Sequence, residues 1–148
     1  MDGEVSLTFT RDPSFLNTVA NHPDVRPWRG TDWKSFFEIG VLLRQTGAFA
    51  LQNEYGGFVA TLTGDGAYEF HTQFLPEGRG RKVLEAALEA TRMMFEIYGA
   101  PALETYVPHD NLAAKWMVRF VGFDRTHEDA DASYWRLTRE AWQARRAR

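Results

Sequence analysis

The sequence predicts a single α/β (α+β) domain with a mixed, mostly antiparallel sheet flanked by helices. Tight turns at residues 54–57 and 64–66 separate alternating apolar segments, which is the pattern of consecutive β-hairpins. A helical stretch over 80–98 then precedes a strand over 103–107, and strands joined through a whole helix run parallel. A length of 148 residues with 44% hydrophobic content suits one core.

The N-terminal part is predicted to form one strand and one helix. Alternation over residues 5–10 predicts a first strand of about six residues with one buried face. Asp12 and Pro13 supply an N-cap and a first-turn proline for the helix that follows. That helix is expected to end before Pro23, because proline cannot continue it.

A second short helix and three strands complete the first half. The helix is predicted to start at Thr31 or Asp32, to run through Trp33, Phe36 and Phe37, and its continuation to Leu43 stays open. The pattern then changes to strands with the alternation of a half-buried sheet. These strands are expected at about 48–53, 58–63 and 67–74.

A long amphipathic helix is predicted over residues 80–98. The residues on its buried side recur at spacings of three and four, as in a helix packed on a sheet. They are Leu84, Leu88, Thr91, Phe95 and Tyr98. Gly99 and Pro101 end this helix.

The C-terminal part is predicted to form a short helix, an antiparallel strand pair and a terminal helix. A helix of about ten residues is capped by Asp110 or Asn111 and closed by Gly122. Two further segments predict a last antiparallel pair, and the charged, Ala-rich end predicts a frayed terminal helix. The pair is expected at 123–126 and 134–138, and the terminal helix at 139–148.

Composition excludes several classes of function. A net charge of −3, from 17 basic and 20 acidic residues, provides no field that selects nucleic acid. With no cysteine there are no disulfides, thiolate nucleophiles or cysteine-based zinc sites, and the four histidines lack metal-ligand spacing. The first residues lack a signal pattern, and no apolar run approaches the roughly 18 residues of a membrane span. We therefore expect a cytoplasmic protein with no metal, membrane or nucleic-acid partner.

An anion site is predicted where the strand 67–74 passes through a glycine turn into the long helix. A helix that begins near Gly80 leaves its first N–H groups unpaired and carries the positive end of its dipole there. Arg79, Arg81 and Lys82 add positive charge at the same place.

The segments LPEGRGRKVLEAAL and TYVPHDNLAAKWMVRFVGF resemble the acyl-CoA-binding half of the GNAT superfamily of N-acetyltransferases. The family's loop reads Arg/Gln-x-x-Gly-x-Gly/Ala within a longer PExRGxGxG string. The residues that match its start are Pro76, Glu77, Arg79 and Gly80. Two later glycines are replaced by Lys82 and Leu84, which narrows or reshapes the expected pyrophosphate cradle.

This resemblance implies a single GNAT-like domain over residues 1–148 that uses acetyl-CoA. A parallel strand pair would splay into a V that holds the cofactor, with backbone N–H groups near Phe74 and Leu75 polarising the acetyl carbonyl. Asn111 and Ala114 match the family's N-x-x-A, although Asn111 could equally be only a helix cap. The residues implied in cofactor binding are Phe74, Leu75, Arg79, Gly80, Arg81, Lys82, Val83, Asn111 and Ala114.

The catalytic candidates lie on one face of strand 67–74. Glu69, His71 and Gln73 share that face, and three polar residues in line on a central strand indicate a cleft. The resemblance implies a glutamate base, so Glu69 is the first candidate. His71 is the second because its ordinary pKa suits proton transfer at neutral pH. The alternative is that the two residues pair structurally. Val118 stands where the family often has a tyrosine acid.

The sequence supports two functions of different class. The favoured one is transfer of an acetyl group from acetyl-CoA to an amine of a small molecule or a protein, with Tyr106, His109 or water in place of the missing acid. The rival is a non-catalytic GNAT-fold protein, for instance a phage virion or morphogenesis component, and it is favoured by Lys82 and Leu84 at the glycine positions and by Val118 at the acid position. HPDVRPW and HTQFLPEGRGR resemble small GNAT-like proteins of bacteriophages. Such a protein would act through a phage structural partner, and a homo-oligomer stays open for either function.

Overall fold

The described part of the chain, residues 6–28 and 36–147 of a computed structural model, forms a seven-stranded sheet flanked by helices. The strands are β1 (Thr8–Thr10), β2 (Phe49–Asn53), β3 (Gly56–Leu62), β4 (Tyr68–Phe74), β5 (Ala102–Pro108), β6 (Asp124–Glu128) and β7 (Ala132–Thr138). The helices are α1 (Ser14–Ala20), α2 (Ile39–Leu43), α3 (Arg81–Glu96), α4 (Leu112–Val121) and α5 (Arg139–Arg146). Short 3-10 turns lie at Arg26–Trp28 and Pro76–Gly78.

The strand order is β1-β2-β3-β4-β5-β7-β6, and every neighbouring pair except β4 and β5 is antiparallel. The parallel pair is joined only at Tyr68 opposite Leu103 and at Glu69 opposite Glu104. Beyond these residues the two strands separate, while β5 stays paired with β7 along its whole length. The predicted fold class, with its splayed parallel pair, is confirmed.

Helices cover the two faces of the sheet unequally. On one face, α3, α4 and α5 enclose the main core, in which Phe58, Phe70 and Leu103 are almost completely buried. On the other face, α1 and α2 cover only the half of the sheet that contains Ala50 and Val59. Among the described helices, none on this side covers the face of β5 and β7 beyond α1 and α2, and the gap between β4 and β5 can be reached from it.

The first strand is shorter and more exposed than predicted. The described strand β1 has three residues rather than six, and Phe9 is 50% exposed although its ring stacks on that of Phe49 at 5.1 Å. Val5 lies outside the described residues. An edge strand is paired on one side only, so alternation there does not require a fully buried face.

The second helix begins later than predicted. Phe36 and Phe37 precede α2, because the Glu38 carboxylate caps the helix by accepting from the Gly40 N–H at 2.7 Å. The predicted caps Thr31 and Asp32, and Trp33, lie outside the described residues. The sequence left open whether the helix continues to Leu43, and in the structure α2 ends at that residue.

One residue that was predicted to lie on the buried side of the long helix α3 is exposed. Leu88, placed by its spacing on the buried stripe, is 43% exposed. Small residues, Ala86, Ala87 and Ala90, occupy the interface instead, together with the predicted Thr91 and Phe95. Alanines let the helix backbone approach the sheet closely, which a periodicity argument based on large side chains misses.

The C-terminal elements are confirmed. Asn111 caps α4, and Gly122 ends it with φ +116°, a conformation that favours glycine. The last antiparallel pair and the terminal helix α5 are both present. Trp142 of α5 packs against Phe95 at 5.0 Å between ring centroids, which joins the end of the chain to the core.

The glycine turn before α3 depends on close packing at Gly78. This residue is buried, and a Cβ placed on it would overlap the Cβ of Tyr55 in the β2–β3 turn. We expect Gly78→Ala to lower the free energy of unfolding by about 1–3 kcal/mol through overpacking. Gly64→Ala is the matched control, since a Cβ there meets no atom within 4 Å. Urea unfolding of both variants measures the difference, and equal losses would contradict this account of the turn.

Candidate active site

A cleft of about 1590 Å³ opens where β4 and β5 separate. Residues of both faces of β4 line it, because the gap passes through the sheet. Other lining residues come from the start of α3, the start of α4 and the ends of β5 and β7. The cleft therefore connects the side of the sheet that carries the predicted anion site with the side that carries His71.

The backbone of β4 presents free polar groups to this gap. The Leu75 N–H donates to the Tyr55 carbonyl at 2.8 Å, which makes this pair a hydrogen-bonded one in the antiparallel ladder between β3 and β4. Because bonded and non-bonded pairs alternate, the N–H and C=O groups of Thr72 and Phe74 point away from β3. Of the two predicted N–H groups near the acetyl carbonyl, the one of Phe74 is open to a ligand and the one of Leu75 is already bonded.

The first turn of α3 is open to the cleft as well. Gly80 occupies the N-cap position with φ +70° and provides no side-chain cap. The first bond of the helix runs from the Leu84 N–H to the Gly80 carbonyl at 3.2 Å, so the preceding amides have no partner within the helix. Gly80, Arg81 and Val83 line the cleft, which brings these amides to the predicted anion site.

The three basic residues of the turn point in different directions. The Arg79 guanidinium donates to the Asp24 carbonyl at 2.7 Å and ties the turn to the loop after α1. Lys82 Nζ bonds the Tyr55 hydroxyl at 3.1 Å and lies 4.4 Å from the centre of its ring, outside the cleft lining. Arg79 and Arg81 both line the cleft, but of these two only the Arg81 side chain has no hydrogen-bonding partner among the described residues. Arg81 is therefore the cation best placed for an anionic ligand.

For Asn111 the sequence allowed two roles, a helix cap or a contact with the cofactor, and the structure shows the cap. Its Oδ1 accepts from the Ala114 N–H at 3.1 Å, yet both residues also line the cleft. Capping and contact with a ligand are therefore compatible at this position. Val118 lines the same wall and offers no proton.

The two catalytic candidates are adjacent but not equivalent. Glu69 Oε1 lies 3.4 Å from His71 Nε2, and Thr61 Oγ1 lies 3.3 Å from the same nitrogen. His71 lines the cleft, whereas Glu69 lies beside it without lining the cleft. The His71 imidazole can therefore contact a ligand in the cleft, whereas the Glu69 carboxylate contacts the imidazole.

Burial shifts the pKa values of both residues. It lowers the pKa of His71, so the imidazole is neutral at neutral pH and can accept a proton. It also raises the pKa of Glu69, and the negative charge of Glu104 adds to that shift. Arg136 holds Glu104 through an ion pair and also bonds Asp65 at 3.2 Å.

Tyr106 is the candidate acid that lines the cleft. Burial and then the charge of Glu69 raise its pKa, which keeps its hydroxyl protonated. His109, by contrast, does not line the cleft, and its Nε2 hydrogen-bonds the Asp129 carbonyl at 2.6 Å. The Asp129 carboxylate accepts from the Tyr134 hydroxyl at 2.7 Å.

Several lining residues had no signal in the sequence. Phe36 and Phe37 reach the cleft from the segment before α2, and Tyr134 reaches it from β7, opposite Tyr106 in the ladder. Their positions depend on contacts between distant parts of the chain. For Tyr134 the signal is the pairing of the 134–138 segment with 103–107, which places it opposite Tyr106.

Comparison with known proteins gives matches of structure rather than of sequence. No protein-family model matches the chain, and no curated protein matches it by sequence. Spermidine N-acetyltransferase from Vibrio cholerae, in complex with CoA and spermine, has a TM-score of 0.71 at 15% identity over 93% of this chain and 98% of its own. The aminoglycoside acetyltransferase AAC(6')-Ib, in complex with coenzyme A, has a TM-score of 0.73 at 17% identity over 97% and 99%. The chain has the GNAT acetyltransferase fold.

A third GNAT-fold match is the N-acetyltransferase PseH of Campylobacter jejuni in complex with acetyl coenzyme A, with a TM-score of 0.65 at 15% identity over 92% of this chain and 99% of its own. At these identities the likeness concerns the fold. The matches give no support to the bacteriophage origin that the short sequence similarities suggested. Within the described residues, no helix is both long and apolar enough to cross a membrane, and no cluster of three metal-ligating side chains occurs.

The buried position of His71 predicts how stability depends on pH. Its pKa in the folded protein lies below the ordinary value of 6.5, so the unfolded chain binds this proton more readily. Stability is therefore lost as the pH falls through 6.5. We expect the free energy of unfolding of the wild type to fall more than that of His71→Gln between about pH 7.5 and 5.5. Urea unfolding at both pH values tests this, with parallel changes in the two proteins as the contradicting result.

Proposed function

We propose that this protein transfers an acetyl group from acetyl-CoA to the amine of a small molecule. The observation that carries the proposal is the gap between β4 and β5, which leads from the start of α3, where no side chain caps the helix, past the open backbone of β4 to His71. Three proteins of the same fold are known with CoA or acetyl-CoA bound, and two of them are named for spermidine and aminoglycosides.

The residues present fit acetyl-CoA, which when bound supplies an activated acetyl thioester. The amides at the start of α3 and the Arg81 guanidinium would hold its pyrophosphate. The backbone of Thr72 and Phe74 would pair with the pantetheine arm, as a neighbouring strand would. Asn111 and Ala114 line the opposite wall. Lys82 and Arg79 make other contacts, so we assign them no direct role in holding the phosphates.

The side chains on the far side of the sheet move the protons. His71 takes the proton that the acceptor nitrogen loses as its bond to the acetyl carbon forms. Tyr106 gives a proton to the sulfur released when the carbon–sulfur bond breaks, in place of the acid absent at Val118. Glu69 orients the imidazole and stabilises its charged form, which makes it a positioning residue rather than the base. Of the two open N–H groups, the one of Thr72 lies next to His71 and polarises the acetyl carbonyl, while Phe74 lies nearer the start of α3.

A non-catalytic role in association is the second candidate. It is favoured by the exposed apolar stripe on α4, where Leu112, Trp116 and Phe120 are 71%, 59% and 46% exposed and the last two rings stack at 5.2 Å. Binding of acetyl-CoA distinguishes the candidates, because association alone requires no cofactor.

The proton-transfer roles predict a graded loss of rate. His71→Asn should lower kcat by about 10²–10⁴-fold by removing the base. Glu69→Gln keeps the shape of the side chain and should cost less, since the imidazole remains. Steady-state release of CoA thiol from acetyl-CoA, with an accepted amine, measures both.

Tyr106→Phe completes this series and should lower kcat by about tenfold or more, with little change in the melting temperature. In the wild type kcat should fall at alkaline pH as Tyr106 loses its proton, and this fall should be absent from Tyr106→Phe. If Glu69→Gln loses as much rate as His71→Asn and retains the fold, the carboxylate is the base and the assignment of His71 is wrong.

The phosphate-binding role of Arg81 can be separated from general charge at the turn. Arg81→Glu and Lys82→Glu change the charge equally at neighbouring positions, but only Arg81 lines the cleft. We expect Arg81→Glu to weaken acetyl-CoA binding by about tenfold or more and Lys82→Glu by less than about threefold. Acidic residues in the first turn suit the helix dipole, so both variants should stay folded.

Calorimetric titration with acetyl-CoA measures these affinities, and the melting temperature provides a second readout. Saturation of the wild type at about a hundredfold excess over Kd stabilises the fold by about 2.7 kcal/mol, or roughly 5–10 °C. If the cooperatively folded wild type binds neither acetyl-CoA nor CoA, the acetyltransferase proposal fails and the association role takes its place.

A further inference from the structure

Gln73 is a buried polar residue that the reaction does not use. It is 8% exposed, lines the cleft, and shares the face of β4 that carries Glu69 and His71. Among the described residues, no group hydrogen-bonds its side-chain amide. The fully enclosed side-chain atoms without a partner in this part of the chain belong to Gln52 and Asn53. The Gln73 amide is therefore not sealed in the core but open to the cleft.

An amide that opens into a cleft is hydrated while the cleft is free, and a ligand that covers it displaces that water. A ligand group that can donate and accept replaces these hydrogen bonds, whereas an apolar group leaves the amide buried without a partner, which is unfavourable. A glutamine amide donates through its nitrogen and accepts through its oxygen, so its best partner is another uncharged group that can do both. The free amide thus indicates the chemistry of the group that lies against it.

The position of Gln73 relative to His71 sets the size of this ligand. Alternate residues of a strand lie roughly 7 Å apart on the same face. An acceptor whose nitrogen approaches His71 therefore places atoms about four bonds further along beside Gln73. His71 therefore marks the end of the acceptor site where the nitrogen reacts, and Gln73 marks the point where the other end of the amine is bound.

The charges of the lining argue against a second cation beside Gln73. The segments on this side of the sheet contribute apolar residues, namely Val25, Pro27, Phe36 and Phe37. Of the charged lining residues, Arg79 reaches this side and adds a positive charge there, because its guanidinium bonds the Asp24 carbonyl next to Val25. Arg81 lies at the turn before α3, and Asp110 and Asp131 lie beyond the end of β5. An ammonium group next to Gln73 would have no carboxylate among the described lining residues of that side.

We propose, on the basis of the acetyltransferase function above, that Gln73 selects small amines that carry an uncharged amide or similar group about four bonds from the nitrogen. The acceptor differs in charge from spermine, the ligand bound by the Vibrio cholerae protein of the same fold. Gln73 is the specificity-determining residue, and the apolar segments around it contact the carbon skeleton of the amine.

Three amines of similar size test the proposal: β-alaninamide, its apolar isostere isopentylamine, and the diamine putrescine. Each is titrated by NMR into the ¹⁵N-labelled protein with CoA present, so that binding is measured without turnover. We expect β-alaninamide to bind at least about tenfold more tightly than the other two, because the amines that lack the amide leave Gln73 unpaired. The side-chain amide signal of Gln73, identified by its absence from the Gln73→Leu spectrum, should shift only with β-alaninamide.

Variants separate recognition from folding. Gln73→Leu retains the size of the side chain and should bring the affinities of β-alaninamide and isopentylamine within about twofold of each other, whereas Gln73→Glu should shift the preference to putrescine. Gln143→Leu, at an exposed position of α5, is the matched control and should leave all three affinities unchanged.

The inference is overturned if β-alaninamide fails to bind, if it binds no more tightly than isopentylamine, or if Gln73→Leu leaves their ratio unchanged. Binding of acetyl-CoA in the calorimetric experiment is independent of these results. Normal acetyl-CoA binding with an unchanged amine ratio therefore rejects the role of Gln73 alone, and absent acetyl-CoA binding rejects the acetyltransferase function.

Discussion

The short pairing between β4 and β5 is the constraint on which the site depends. Two parallel residue pairs hold the strands together, and Thr105 adds one bond from its hydroxyl to the Phe70 carbonyl at 3.1 Å. Strands that are held at one end and free at the other must expose backbone groups within an otherwise saturated sheet. Such groups are costly to bury and are normally satisfied by a neighbouring strand, so a ligand of extended shape can take that place. The gap also joins the two faces, which lets one ligand be held on one side and react on the other.

The sequence predicted best those elements that are set by local chemistry. The 64–66 turn, the Asn111 cap and the Gly122 stop are fixed by residues within a few positions of each other, and all are present in the fold. The glycine turn and open start of α3 belong to the same class. By contrast, Phe36 and Phe37 carried an apolar pattern typical of a helix, but the Glu38 cap competes with it and starts the helix later.

The directions of side chains could not be predicted, because they depend on partners far along the chain. Arg79, Arg81 and Lys82 are indistinguishable by sequence as phosphate ligands, yet Asp24 and Tyr55 occupy two of them. Glu69 and His71 share a face, as alternation required, but access to the cleft depends on where the neighbouring strands and helices lie. Lys82 stands where the GNAT loop that this segment resembles has a glycine, and its side chain turns to the Tyr55 ring and stays out of the cleft.

Tyr55 connects the tip of the β2–β3 hairpin to the turn that precedes α3. Its carbonyl accepts from Leu75, its side chain packs over Gly78, and its hydroxyl accepts from Lys82. Surface turns usually tolerate insertions and deletions, because few contacts depend on their length. This hairpin tip is an exception, since one added or lost residue would remove all three Tyr55 contacts with the segment around the turn before α3. The hairpin acts as a template for the geometry of a distant loop, so variation in its length is limited by binding at a site that it does not line.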